Sequence, residues 1–147
     1  MFALGNPSRG DDALGPELAA RLEAATLPGV EVIVDFQLQV EHALDLEGRR
    51  LVVFVDAAVD APVPCELRKV MPLRDTSHSS HALSPAAVLE TFERVTGQKA
   101  PEARVLAVRG EQFELGAPLS PEAGTNLEAA WGRLLALLQQ GRGSSRR

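Results

Sequence analysis

Residues 51–56 read LVVFVD, a nearly continuous run of β-branched and apolar side chains that stops at Asp56. This composition is typical of a strand covered on both faces, and hence of a strand in the centre of a sheet. On both sides of it along the chain, short runs of β-forming residues alternate with segments of helical period. The pattern predicts an α/β fold with three layers, α/β/α, built on a twisted, mostly parallel five-stranded sheet.

The other elements are predicted from alternation, turn residues and helix caps. EVIVDF at 31–36 alternates as a half-buried strand does, with Val32, Val34 and Phe36 on one face. Gly5 begins a turn so early that the first strand is unusually short. The full prediction places strands at 1–4, 30–36, 51–55, 66–71 (an edge strand) and 104–108, and helices that begin near Pro16, Val40, Ser84 and Ser120.

Size and composition indicate one soluble globular domain. The chain has 147 residues, of which 45% are hydrophobic and 24% are charged. We expect a single domain over residues 1–140, followed by a mobile tail, GRGSSRR, at 141–147. No internal repeat interrupts this organisation.

Charge and cysteine content limit the partners and the location. The formal net charge of -5 removes the general attraction to phosphate, so neither nucleic acid nor a membrane surface is an expected partner. Cys65, the single cysteine, cannot form an internal disulfide, and the chain shows neither a signal peptide nor an apolar run of about 20 residues. The expected location is the cytoplasm.

Acidic residues fall where a sheet of this kind binds ligands. If the third strand lies on the other side of the first, right-handed crossovers open a crevice between the carboxyl ends of these two strands. Asp11 and Asp12 follow the first strand, and Asp56 ends the third. An equally simple interpretation of Asp11 and Asp12 is that their negative charges complement the dipole of the first helix. The alternative for Asp56 is that it only caps the end of its strand.

A histidine is predicted to join these carboxylates. His81 lies in the segment before the Ser84 cap, where the chain must return over the edge of the sheet. One imidazole and two carboxylates suit a divalent transition metal such as nickel or zinc. His42, inside a short helix, is expected to be a surface or supporting residue.

Three other chemistries are disfavoured by the residues around their candidate groups. Cys65 has neither a histidine base nor an orienting group near it in the sequence. Ser8 lies in a turn that lacks the G-x-S-x-G elbow of serine hydrolases. The same turn lacks the lysine and hydroxyl residue of a phosphate-binding loop.

Several segments resemble the [NiFe]-hydrogenase maturation endopeptidases, which process hydrogenase large subunits. LGNPSRGDDALGP at 4–16 is similar to the N-terminal signature of this family, and FVDAAV at 54–59, SSHALSPAAVL at 79–89 and LSPEAGTNLEAAW at 119–131 continue the likeness over nearly the whole chain. LQVEHALDL at 38–46, followed by VVFVDAA, looks most like the subgroup that serves soluble, cofactor-reducing hydrogenases.

The resemblance implies an activity, a partner and site residues. Members of this family cut a C-terminal extension from the hydrogenase large-subunit precursor after nickel has been inserted. The acidic metal contact of the family falls on Asp12, its strand-end aspartate on Asp56 and its histidine on His81, so these three are the implied catalytic and nickel-contacting residues. The nickel is carried by the substrate, and no organic cofactor is implied.

The sequence departs from the family at two places, and two alternatives stay open. The family usually has more residues before the glycine-asparagine turn, so either the first strand is truncated or the natural start lies upstream. DFQLQVEHALDL at 35–46 replaces a common glycine- and threonine-containing turn, so Gln37, Gln39, Glu41 and His42 could line the cleft. One alternative is a nickel-binding assembly chaperone that does not cut. The other is a peptidyl-tRNA hydrolase-like enzyme, because LGNP at 4–7 also resembles the opening of that family.

Overall fold

Five strands form one sheet: β1 (Phe2–Leu4), β2 (Ile33–Asp35), β3 (Leu51–Ala58), β4 (Cys65–Lys69) and β5 (Glu102–Arg109). Their order is β2-β1-β3-β5-β4, in which β4 is antiparallel to β5 and all other pairings are parallel. The structure is a computed structural model that describes residues 1–74 and 83–144, with side chains as far as residue 140. The predicted mostly parallel five-stranded sheet is confirmed.

Helices cover both faces of this sheet. The helices are α1 (Leu14–Ala25), α2 (Pro85–Thr96) and α3 (Pro121–Ser144), and two 3₁₀ helices span Gly10–Ala13 and Val40–Leu46. On one face, the second 3₁₀ helix and α2 bury a cluster that includes Phe2, Leu4, Phe54, Leu89 and Phe92. On the other face, α1 and α3 bury a cluster that includes Leu14, Leu18, Val55, Leu106 and Leu134. The three-layer α/β/α arrangement is therefore confirmed.

The local signals for helices act as predicted. The Ser84 hydroxyl accepts the backbone N–H of Ala87 at 3.1 Å and caps α2, which ends at the left-handed Gly97. The helix α3 extends through residues 141–144, four positions into the segment predicted as a tail, while residues 145–147 lie outside the described part. No helix among the described residues is long and apolar enough to cross a membrane.

Two strands differ from their predicted form. β3 does not stop at Asp56 but continues to Ala58, because β5 pairs with it along its whole length. β2 is shorter than the alternation predicts, and Val34 and Phe36 are 48% and 65% exposed instead of buried. β2 is short because it is an edge strand and pairs only with the three residues of β1, and Phe36 lies beyond its last residue.

Candidate active site

β1 lies between β2 and β3, so the predicted crevice at the carboxyl end of β1 is present. The turn that leaves β1 is held from two sides. Gly5 donates its backbone N–H to the carbonyl oxygen of Asp35 on β2 at 3.1 Å, and Gly10 donates to the carbonyl oxygen of Ala117 at 3.1 Å. These bonds place the first 3₁₀ helix, with Asp11 and Asp12, against the end of β3.

Asp12 is half-buried in this turn and is fixed by the backbone. Its Oδ2 accepts the N–H of Asn6 at 2.7 Å, so the carboxylate closes the turn across the end of β1. Gly5 makes the close approach possible, because a Cβ at this position would lie 2.1 Å from the Asp12 carbonyl oxygen, and its φ of 137° is one that L side chains rarely adopt.

Asp56 lies near Asp12 at the mouth of the crevice. Its Oδ1 accepts the backbone N–H of Ala57 at 2.9 Å. Loss of hydration among the surrounding protein atoms, followed by the negative charge of Asp12, raises the pKa of Asp56 to about 6, even though the residue reaches the surface. The structure thus brings together two of the three predicted site residues and couples their charges.

Asp11 points the other way and has a structural role that the sequence does not reveal. It is fully buried, and its carboxylate accepts the N–H groups of Glu111, Gln112 and Ser120 and the hydroxyl of Ser120, at 2.6–3.0 Å. Burial alone would raise the pKa of Asp11, but these bonds outweigh it and lower the pKa. Of the two adjacent aspartates, Asp11 is therefore a buried anchor and Asp12 lies at the crevice.

His42 is buried and does not line the crevice as an open ligand. Its Nδ1 accepts the N–H of Gln39 at 2.8 Å, its Nε2 lies 3.3 Å from Oδ2 of Asp35, and its ring packs edge-on against Phe2. It is 7% exposed, so the expectation of a surface residue is wrong, while that of a supporting residue stays a prediction. Gln39 and Glu41 are exposed on the 3₁₀ helix beside it.

The third predicted site residue, His81, lies outside the described residues, as does His78. Among the residues that the structure describes, no group of three or more His, Cys, Asp or Glu side chains could hold a metal ion. Two carboxylates at the crevice are thus the described part of the predicted nickel-contacting set.

Two other features of the structure lie outside the crevice. Cys65 begins the edge strand β4, where burial raises the pKa of its thiol, which opposes a nucleophilic role. A surface cavity of about 620 Å³ lies at the opposite, amino-terminal edge of the strands, where Ile33, Leu51 and Glu102 are among its lining residues. Neither contributes to the crevice.

Comparison with solved structures identifies the fold. Over 95% of this chain and 91% of the other, it is 22% identical to the hydrogenase maturating endopeptidase HybD from E. coli, with a TM-score of 0.74. An endopeptidase from Escherichia coli is 27% identical over the same shares, with a TM-score of 0.70. The [NiFe] hydrogenase maturation protease HycI from Thermococcus kodakarensis is 22% identical over 94% and 90% of the two chains, with a TM-score of 0.70.

The fold is one shared with small α/β proteins whose solved structures are named as endopeptidases. More particularly, the chain has the fold of the hydrogenase maturation endopeptidases, and the resemblance to this family is confirmed. No family model and no curated protein matches the sequence. The subgroup that serves soluble, cofactor-reducing hydrogenases stays a prediction.

Proposed function

We propose that this protein is an endopeptidase that removes the C-terminal extension of a [NiFe]-hydrogenase large-subunit precursor after nickel insertion. The observation that carries the proposal is the pair Asp12 and Asp56, held together at the crevice between β1 and β3. The likeness to proteins named as hydrogenase maturation endopeptidases supports both the peptidase activity and the kind of partner. The proposed location is the cytoplasm, where a reduced thiol such as that of Cys65 persists.

The nickel belongs to the substrate in this proposal. Asp12 and Asp56 offer carboxylate oxygens, and His81 would add an imidazole nitrogen to this mixed set. Leu83, two residues after His81, donates its backbone N–H to the carbonyl oxygen of Leu38 at 3.2 Å, three residues beyond the end of β2. This contact brings the described start of the segment that leads into α2 to the carboxyl end of β2.

The charges of the pair suit peptide hydrolysis next to a metal ion. One carboxylate of the pair takes the proton of the attacking water as general base. The proton passes to the leaving amine, and the positive charge of the nickel stabilises the oxyanion that develops on the scissile carbonyl. A precursor without nickel would leave two carboxylates facing each other, and we expect it to bind poorly.

The test is the intact mass of a hydrogenase large-subunit precursor, with and without inserted nickel, before and after incubation with this protein. Loss of a C-terminal peptide from the nickel-loaded precursor alone supports both the cut and the dependence on metal. An unchanged mass with a precursor that binds would overturn the peptidase and favour the assembly chaperone. Removal of a peptide from both samples would retain the peptidase and overturn the role of nickel.

Alanine substitutions test whether the three proposed site residues are needed for processing. We expect Asp12→Ala, Asp56→Ala and His81→Ala each to abolish processing while thermal unfolding remains cooperative. Asp60→Ala, an exposed carboxylate four residues after Asp56, is the matched control and should process at the wild-type rate. Full activity in all three site variants would exclude this assignment.

A further inference from the structure

Both ring nitrogens of His42 have partners. Since Nδ1 accepts the N–H of Gln39 at 2.8 Å, the ring proton lies on Nε2, which faces Oδ2 of Asp35 at 3.3 Å. The ring is held against Phe2, which stacks on Phe54 in the core. A buried imidazole with a fixed tautomer thus supports a carboxylate that is itself 42% exposed.

Asp35 stands beside the crevice, on the opposite side of β1 from Asp56. Leu4 is in register with Asp35, and Ala3 with Val55, so Asp35 and Asp56 lie at the same level on the two strands that flank β1. Because neighbouring strands are about 4.8 Å apart, their Cα atoms are roughly 10 Å apart.

The two carboxylates also share a face of the sheet. Ile33 and Phe54, each two residues earlier on its strand, both contact the core beneath the second 3₁₀ helix. Since side chains two positions apart on a strand point to the same face, Asp35 and Asp56 project to this side of the sheet.

We propose that Asp35 is a third carboxylate of the cleavage site, which accepts a main-chain N–H of the precursor tail, and that His42 is its positioning residue. The proposal rests on the proposed endopeptidase function. Oδ1 of Asp35 is engaged by its own neighbour, the N–H of Phe36 at 2.7 Å, and His42 faces Oδ2, so the orientation of the carboxylate is set from both oxygens. The remaining acceptor capacity of the exposed carboxylate is available to the substrate.

Two substitutions of His42 separate its contact with Asp35 from its packing. His42→Asn places an amide oxygen near the position of Nδ1, which retains the bond to Gln39 but does not reach Asp35. His42→Gln places an amide donor near the position of Nε2, which retains the reach to Asp35. Both variants lose the imidazole ring against Phe2 and each keeps one of its two polar contacts, so a slower His42→Asn shows that the contact with Asp35 matters more for cleavage than the bond to Gln39.

The experiment measures kcat and KM for cleavage of the nickel-loaded precursor, together with the melting temperature of each variant. We expect His42→Asn and Asp35→Asn each to lower kcat/KM about tenfold, mainly through KM, because a charge-assisted hydrogen bond to the substrate is weakened. His42→Gln should remain within about threefold of the wild type. The double variant with Asp35→Asn and His42→Asn should be no slower than Asp35→Asn alone, because the two residues act as one unit.

Equal kcat/KM in His42→Asn and His42→Gln would overturn the positioning role. Asp35→Asn tests the carboxylate without disturbing the core, and a wild-type KM in this variant would overturn the proposal even if neither His42 variant folds. Failure of the wild-type protein to cut the precursor would instead overturn the proposed function, on which this inference rests.

Discussion

Ser120 donates both its backbone N–H and its hydroxyl to the carboxylate of Asp11, at 2.7 Å in each case. The same hydroxyl oxygen accepts the N–H of Ala123 at 3.1 Å and so caps α3. One buried carboxylate therefore joins the turn after the first strand to the start of the last helix, 109 residues later.

Asp11→Asn should strongly destabilise the protein. An amide keeps the size of the side chain but turns an NH₂ group toward backbone N–H donors and loses the charge, which costs about 3 kcal/mol at a buried site. For a chain of this length we expect the melting temperature to fall by roughly 6–12 °C. Glu23→Gln, which removes an exposed charge from α1, should change it by less than about 1 °C. Similar melting temperatures for the two variants would contradict the anchoring role.

Asp56→Asn should stabilise the protein at neutral pH. The folded-state pKa of Asp56, about 6, is above its ordinary value of 3.8, so its contribution favours folding below about pH 4 and is lost as pH rises to about 6. Asparagine does not ionise, so the free energy of unfolding of the variant at neutral pH should be higher than that of the wild type. The gain is about 1 kcal/mol once solvent screening of this exposed group is allowed for. Urea unfolding should show the gain at pH 7.5 and little of it at pH 4. Asp60→Asn is the control, and an equal gain there would point to net charge alone.

Asp12→Asn should lower the pKa of Asp56. The negative charge of Asp12 is the second cause of the raised value, after burial, so its removal shifts the pKa down from about 6 but leaves it above 3.8. A carboxyl-carbon NMR titration of Asp56 in both proteins measures the shift. An unchanged value would mean that the two carboxylates are not electrostatically coupled.

Gly5→Ala should disrupt the turn that carries Asp12. A methyl group here would meet the Asp12 carbonyl oxygen at 2.1 Å, so the turn must move, and we expect a loss of about 3 kcal/mol or more together with loss of processing. Gly29→Ala is the matched control, because Gly29 also has a positive φ, 75°, but nothing lies within 4 Å of its added Cβ. Its cost should be only the backbone term of about 1 kcal/mol. Equal costs for the two variants would contradict the importance of the close approach.

The core and the location of the crevice were predictable because they depend on periodicity and strand order. The run at 51–55 and the caps at Ser84 and Ser120 act locally, and the right-handed crossover rule then places Asp12 near Asp56. The exposure of β2 was not predictable from alternation, since the pattern is the same whether or not a helix covers the face on which Val34 lies. For that reason Val34 and Phe36 were assigned to a buried face and are exposed.

The sequence could not predict that Asp11 is buried while Asp12 lies at the crevice, because the two residues have the same chemistry and adjacent positions. Which of them turns inward depends on Glu111, Gln112 and Ser120, about 100 residues further along the chain. The contact between Asp35 and His42 has a weak local signal, an acidic strand end followed by a histidine seven residues later. Nothing in the spacing reveals that the imidazole is buried.

The anchor at Asp11 makes the crevice depend on the last third of the polypeptide. During synthesis, Asp12 and Asp56 leave the ribosome long before Ser120, and the carboxylate of Asp11 has none of its hydrogen-bond donors until residues 111–120 arrive. A nascent or truncated chain that ends before residue 110 would contain both carboxylates and all five strands but none of the groups that bind the carboxylate of Asp11. The first turn of the chain is therefore completed by residues from its last third.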